Sequence, residues 1–245
     1  MNAVIKGGYM SLVGVISTTL VMERSTFLKE AKPKMLDNEF GRAAVYLYEG
    51  IALILRHGDD PHHHILPHMI NHRANIKALK EIGVREIIGF NSTGSLKKEL
   101  PPGTIVIPDD FVTLTATPTI FQDSVVHITP SLNEEIRQKL INAAKRCSLP
   151  AVEKAAYWQT QGPRLETKAE IRMMANFADI VGMTMANEAV IAMELELPYA
   201  SACSVDNFCH GLVEKPLSME EILEGTRQNA DLMVKLLESY LNLSY

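Results

Sequence analysis

Asn71-His72-Arg73-Ala74-Asn75-Ile76-Lys77-Ala78-Leu79-Lys80-Glu81-Ile82-Gly83-Val84-Arg85-Glu86-Ile87-Ile88-Gly89-Phe90-Asn91-Ser92-Thr93-Gly94-Ser95 is the stretch that decides the fold. Ala74, Ala78, Leu79 and Ile82 recur at helical spacing, so 71–82 reads as an amphipathic helix. Glu86-Ile87-Ile88-Gly89-Phe90 then reads as a strand, without a clean alternation of polar and apolar residues. Such runs mark strands covered on both faces, as in parallel sheets. The strand ends in Asn91-Ser92-Thr93-Gly94-Ser95, a polar run beside a glycine.

The pattern recurs on both sides of this stretch. Further strands are expected at Leu12 to Ile16, Ala43 to Leu47, Ile51 to Leu55, Thr104 to Ile107, Ala155 to Gln159, Asp179 to Met183 and Pro198 to Cys203. Helical patterns cover Leu132 to Ala144, Glu170 to Phe177, Asn187 to Leu195 and Met219 to Leu241. The last opens at Ser218 with Glu221 three residues on, the spacing of a capping box. Strands alternating with helices imply an α/β fold, with a mixed, mostly parallel central sheet flanked by helices. No repeat, low-complexity tract or linker interrupts it, so 10–245 reads as a single domain. Residues 1–9 read as a short extension ahead of a second possible start at Met10.

At 245 residues the chain is long enough for one large α/β domain. A net charge of -5 disfavours a nucleic-acid binder. No apolar run approaches the roughly 20 residues that span a bilayer, and the first residues lack the layout of a signal peptide. Cys147, Cys203 and Cys209 have no framework spacing and read as reduced thiols of a cytoplasmic protein. Cys203 falls in an apolar strand; Cys209 follows Asn207 closely and is a candidate for lining a pocket.

Chemistry is concentrated at strand ends. Leu55-Arg56-His57-Gly58, Asn91 to Ser95 and Gly182-Met183-Thr184 each put a cation, hydroxyls or glycine-adjacent backbone at the carboxyl end of a strand. Together they suit an anion; singly, Ser and Thr there would merely cap the next helix. Glu166, in Gly162-Pro163-Arg164-Leu165-Glu166-Thr167, and Asn207, in Ser204-Val205-Asp206-Asn207, also follow strand-like runs, where open α/β sheets bind small molecules. A carboxylate accepts from a ring N–H and an amide both donates and accepts, so the pair can read the edge of a 6-oxopurine. Phe208 suits a base or the core equally. His57, His62, His63, His64, His68 and His72 suggest a metal, but Pro61 and Pro67 break any helix through them and no tetrahedral ligand set is completed. They read as a polar loop over the pocket, and no metal site is expected.

Arg56-His57-Gly58, the run from Asn71-His72-Arg73-Ala74-Asn75 through Gly94-Ser95-Leu96 to Pro102-Gly103-Thr104-Ile105-Val106-Ile107, Gly162-Pro163-Arg164, and Gly182-Met183-Thr184 ahead of Glu188 are motifs of one family. From Leu12 to the final helix the chain resembles the trimeric nucleoside phosphorylases, which include purine nucleoside and 5′-methylthioadenosine phosphorylases. The resemblance implies a glycosyltransferase in which phosphate attacks the anomeric carbon and releases a free purine and a ribose 1-phosphate. It implies no cofactor, phosphate as co-substrate, and a homotrimer or homohexamer. On matching positions, Thr19, Arg56, His57, Ser92 and Thr184 would hold phosphate, and Met183 would lie under the ribose. Glu166 and Asn207 would hold the base beside Cys209, with Asn207 and His57 as the catalytic pair.

Three departures define the expected substrate. Ser17-Thr18-Thr19-Leu20 stands where the family usually carries Gly-Gly-Thr-Gly, which restricts close backbone approach to phosphate. Glu166, Asn207 and Cys209 stand where the methylthioadenosine branch has Ser, Asp and Asp, so a 6-oxopurine is favoured over a 6-aminopurine. Met219 stands where the 6-oxopurine enzymes have a His for the 5′-hydroxyl, so Met219, Ile222 and Leu223 point to an apolar 5′ pocket. The expectation is a 6-oxopurine or 5′-methylthioinosine phosphorylase. A 5′-methylthioadenosine phosphorylase, a nucleoside hydrolase and a non-catalytic purine-binding module are the alternatives.

Overall fold

The computed structural model describes residues 12–25, 30–60, 63–214 and 216–242. The expected 1–9 extension, Pro61 and His62 lie outside the described residues. In chain order the elements are β1 (Leu12–Ser17), α1 (Thr19–Met22), β2 (Lys32–Asn38), β3 (Gly41–Tyr48), β4 (Ile51–Leu55), α2 (His72–Glu81), β5 (Val84–Ser95), β6 (Ile105–Val106) and β7 (Asp110–Thr113). There follow α3 (Glu134–Arg146), β8 (Ala151–Val152), β9 (Ala156–Gln159), α4 (Lys168–Met174), β10 (Ile180–Gly182), α5 (Met185–Glu194), β11 (Tyr199–Phe208) and α6 (Met219–Leu241).

β5 is the axis of a mixed sheet. It pairs in parallel with β1 and with β11, and its last residues pair antiparallel with β10. Beyond β1 lie β4, β3 and β2; beyond β10 lie β9 and β7; β11 continues into β6 and β8. Alternation along β5 explains its apolar run. Ile88 and Phe90 pack with Val13, Val15, Ala202, Leu140 of α3 and Met233 of α6. Ile87 packs on the other face with Ile16, Val205, Leu79 of α2 and Ile191 of α5. Helices therefore cover both faces of the sheet, as the unbroken runs require.

The helix starts follow from side-chain caps. Asn71 accepts from Ala74 N at 3.1 Å, Asn133 from Ile136 N at 3.0 Å and Ser218 from Glu221 N at 3.2 Å. A full capping box occurs at Thr167 and Glu170, ahead of α4.

The structure corrects the expected elements in three ways. β5 runs on through Asn91 to Ser95, and β11 runs on through Asn207 to Phe208, because these polar residues pair with each other across the two strands. β2, β7 and β8 were not expected. β2 is Lys-Pro-Lys-Met-Leu-Asp-Asn, mostly exposed and paired antiparallel with β3, so it carries no apolar run. β7 and β8 have four and two residues, too few to show a period.

One buried ion pair crosses the layers. Arg56, just after β4 and 2% exposed, directs its Nε to Glu188 Oε1 of α5 at 2.6 Å and Nη2 to Glu188 Oε2 at 3.2 Å. Its Nη1 donates to Phe90 O of β5 at 2.6 Å and Nη2 also donates to Ile16 O of β1 at 2.9 Å. Tyr199 of β11 donates its hydroxyl to Glu188 Oε2 at 2.8 Å. Nearby, His72 at the start of α2 is buried, and its Nε2 has no hydrogen-bond partner. Burial, then the charge of Arg56 and the ring of His57, push the His72 pKa from 6.5 down to about 3.

Two stability measurements follow from these buried groups. Glu188→Ala leaves the Arg56 charge buried without its partner, so chemical denaturation should show a loss of about 3–5 kcal/mol. Removing the exposed Arg42–Asp37 pair with Arg42→Ala should leave the midpoint unchanged. His72 binds a proton in the unfolded chain below about pH 6.5 but resists it in the fold. Its stabilising contribution is thus complete above that pH and is lost as pH falls through the window from 6.5 towards 3. The Tm should fall on acidification through this window, and His72→Phe should make that fall shallower.

Candidate functional site

A cavity of about 450 Å³ opens at the carboxyl ends of β1, β4, β5, β10 and β11. The residues expected from the resemblance to hold phosphate or nucleoside line it: Thr19, Arg56, His57, Ser92, Glu166, Met183, Thr184, Asn207, Cys209 and Met219. Strand ends of a sheet covered on both faces are where an open α/β fold leaves room for a ligand.

One group of walls is rich in hydroxyls and N–H donors. Thr18 and Thr19 follow β1, and Thr19 Oγ1 donates to Gly58 O at 2.8 Å. The hydroxyls of Ser17 and Thr18 are buried without a partner. Arg56 reaches the cavity with most of its donors already engaged: four of its hydrogen bonds go to Glu188, Phe90 O and Ile16 O. The sequence had suggested a guanidinium free for an anion. Instead its charge is balanced inside the protein by Glu188. Thr184 precedes α5 yet makes no side-chain cap. Its Oγ1 accepts from Asn91 Nδ2 at 2.8 Å, so the capping alternative does not describe it.

His57 is held by a local loop. Its Nδ1–H donates to Ile65 O at 2.7 Å, and Ile65 N donates back to His57 O at 2.9 Å. The ring stacks on His64 with centroids 4.5 Å apart. Burial, reinforced by Arg56 and His64 and opposed by the Ile65 bond, lowers its pKa to about 4. At neutral pH it is therefore an uncharged ring with Nε2 as an acceptor. Of the other histidines, His64 lines the cavity, His68 lies in the Pro67–Met69 turn and His72 is buried in α2. Among the described residues no group of three or more His, Cys, Asp or Glu side chains is placed to hold a metal ion.

A second group of walls is built for a planar polar ligand. Glu166 is buried, and its Oε1 accepts from Thr160 Oγ1 at 2.7 Å. Asn207 donates one Nδ2 proton to Phe208 O at 3.0 Å, which leaves its second N–H and its Oδ1 available. A β-bulge turns Asn207 to the cavity: Val205 pairs with Thr93 and Asn207 with Gly94, so Asp206 is the extra residue. Asp206 faces the other way, accepting from Thr226 Oγ1 and Asn229 Nδ2 of α6, each at 2.7 Å. Cys209 is buried, and burial pushes its thiol far above the usual range, so it is a neutral thiol. A Cβ at Gly94 would lie 2.7 Å from Cys209 Sγ and 3.1 Å from Asn207 Nδ2, so glycine is needed there. Phe208 is not among the lining residues; of its two readings, contact with the ligand is not what the structure places. Leu217, Met219, Ile222 and Leu223 form an apolar wall, with Met219 61% exposed at its edge.

Several residues that organise the site carry no role of their own in the sequence reading. Glu188 had a signal, as a lone acid inside the apolar run of α5. Asn91, Thr160, Ser201 and Asp206 act through contacts between strands distant in sequence, which no local pattern reports.

Comparisons with known proteins give the family. Residues 20–242 match the model of the family described as the phosphorylase superfamily. A probable 6-oxopurine nucleoside phosphorylase of Archaeoglobus fulgidus is 40% identical over 93% of this chain and 94% of its own length. A probable S-methyl-5′-thioinosine phosphorylase of Methanocaldococcus jannaschii is 36% identical over 96% of this chain and 93% of its own length. Among solved structures, the methylthioadenosine phosphorylase of Schistosoma mansoni in complex with adenine superposes with a TM-score of 0.86 at 26% identity, covering 95% of this chain and 91% of that one. With the family model, the two relatives and the superposed structure each covering nearly its whole length, the chain belongs to the phosphorylase superfamily.

Proposed function

We propose that this protein catalyses phosphorolysis of 6-oxopurine nucleosides, including 5′-methylthioinosine, to a free purine and a ribose 1-phosphate or its methylthio counterpart. The observation that carries the reading is that Glu166 and Asn207 share one cavity with Arg56, His57, Ser92 and Thr184. A carboxylate held by Thr160 keeps its other oxygen for a ring N1–H, and Asn207 keeps an N–H for O6 or N7. A 6-aminopurine has no N1–H for Glu166 and carries a donor in place of O6, which leaves only N7 for the Asn207 N–H. The names of the two archaeal relatives support the same base.

In this reading phosphate, the co-substrate, lies against Thr19, His57, Ser92 and Thr184, with Arg56 behind it and Thr18 beside it. Because Glu188 balances Arg56, and the Thr19 and His57 protons go to Gly58 O and Ile65 O, the donors left for the anion include the Thr184 hydroxyl and one remaining Nη1–H of Arg56, while His57 Nε2 can accept from a protonated phosphate oxygen. Met183 lies under the ribose. As the glycosidic bond breaks, positive charge grows on the sugar and negative charge on the base. The adjacent phosphate stabilises the first; the Asn207 N–H at N7 stabilises the second. Leu217, Met219, Ile222 and Leu223 suit an apolar 5′ substituent better than a hydroxyl that needs a partner. The exposure of Met219 favours an assembly, a trimer or hexamer, in which a neighbouring copy covers that edge.

A substrate panel with phosphate tests the base assignment: inosine, guanosine, methylthioinosine, adenosine and methylthioadenosine. Mismatched buried polar groups cost roughly 1–3 kcal/mol each, so 6-oxo substrates should exceed their 6-amino partners in kcat/KM by about tenfold or more. Asn207→Asp should move that ratio towards the 6-amino substrates. A wild-type enzyme that prefers methylthioadenosine to methylthioinosine would contradict the assignment.

A further inference from the structure

We propose that Asn91 and Ser201 are positioning residues that aim the hydroxyl proton of Thr184 into the cavity, so that Thr184 meets an anion as a donor. This rests on the phosphorolysis reading above and adds to it residues that touch no substrate. Ser201 lies on β11, Asn91 on the adjoining β5, and Thr184 just before α5; they are 0%, 1% and 7% exposed. The Ser201 hydroxyl donates to Asn91 Oδ1 at 2.7 Å. Asn91 Nδ2 donates to Thr184 Oγ1 at 2.8 Å. An amide whose oxygen is taken by a donor must turn its NH2 the other way. Thr184 oxygen is thereby an acceptor on its protein side, and its single proton is left for the cavity it lines.

The other hydroxyls assigned to phosphate are set differently. Thr19 donates to Gly58 O at 2.8 Å. Ser92 is among the side chains that oppose the burial-driven rise of the Asp206 pKa, so its hydroxyl is turned towards that carboxyl. Thr184, which would ordinarily cap its helix, is instead held by Asn91.

The chain could also run backwards. Thr184 would donate to the Asn91 oxygen, Asn91 to Ser201, and Ser201 to Gly89 O, which lies 3.0 Å from its hydroxyl. Both directions satisfy the same buried groups, but the reverse one turns the Thr184 oxygen lone pairs towards the cavity. An anion accepts hydrogen bonds and stabilises the forward direction alone. Aligned hydrogen bonds also polarise one another. Part of the affinity for phosphate is therefore set by two buried residues behind the wall.

The test is a double-mutant cycle on KM for phosphate and KM for inosine, with Asn91→Ala, Thr184→Val and the double variant. Each single change should raise the phosphate KM by about tenfold, the order of one lost hydrogen bond to a charged group, while the inosine KM stays within about twofold. The double variant should match Thr184→Val, because Asn91 acts through that hydroxyl. A double variant whose phosphate KM rises by the product of the two single effects overturns the inference. Should Asn91→Ala not fold, Ser201→Ala takes its place. Its rise in phosphate KM should vanish in the Thr184→Val background, and a rise that persists there overturns the inference equally. Wild-type turnover that needs no phosphate would instead contradict the phosphorolysis reading itself, and this inference with it.

Discussion

The ion pair between Arg56 and Glu188 is the constraint on which the site depends. Both side chains are almost fully withdrawn from water, and removing two charges from solvent is costly unless every remaining donor and lone pair finds a partner. That requirement fixes geometry. Arg56 must lie where Ile16 O of β1 and Phe90 O of β5 both reach it, and α5 must present Glu188 to it. Tyr199 of β11 completes the carboxylate. Four elements are thereby registered at the edge of the cavity, and the residues beside them, His57 and Thr184, take their places from that registration. Were Glu188 an apolar residue, Arg56 would carry an uncompensated charge into the pocket.

The second constraint is the bulge at Asp206. A regular strand end would shift the side-chain alternation beyond Val205 by one residue. With the bulge, Asn207 reaches the cavity while Asp206 anchors β11 to Thr226 and Asn229 of α6. Glycine at position 94 then lets the Asn207 amide and the Cys209 thiol approach β5 closely. The two halves of the site thus arise from different devices: a buried charge pair behind the hydroxyl-rich wall, and a bulged strand end under the amide and carboxylate.

Much of this was legible in the sequence, for physical reasons. Apolar runs such as Ile51 to Leu55 must be strands because both faces are covered, and Asn71, Asn133 and Ser218 mark helix starts because they cap free N–H groups. The candidate residues were legible because strand ends in such a sheet converge. What was not legible depended on pairing. β2 escaped because an exposed edge strand carries no apolar signal. The extension of β5 through Asn91 to Ser95 escaped because polar residues there are sustained by β11 and β10, not by their own propensity. The commitment of Arg56 to Glu188 spans 132 positions, and nothing local to Arg56 announces it.

The most direct test of the account is the fate of the sugar. Phosphorus NMR of a reaction containing inosine, inorganic phosphate and the protein distinguishes a transfer to phosphate from a hydrolysis or from mere binding. The account predicts a new sugar 1-phosphate resonance that grows in step with hypoxanthine and at the expense of inorganic phosphate. Hypoxanthine released with free ribose and no loss of phosphate, or no release at all, would contradict it.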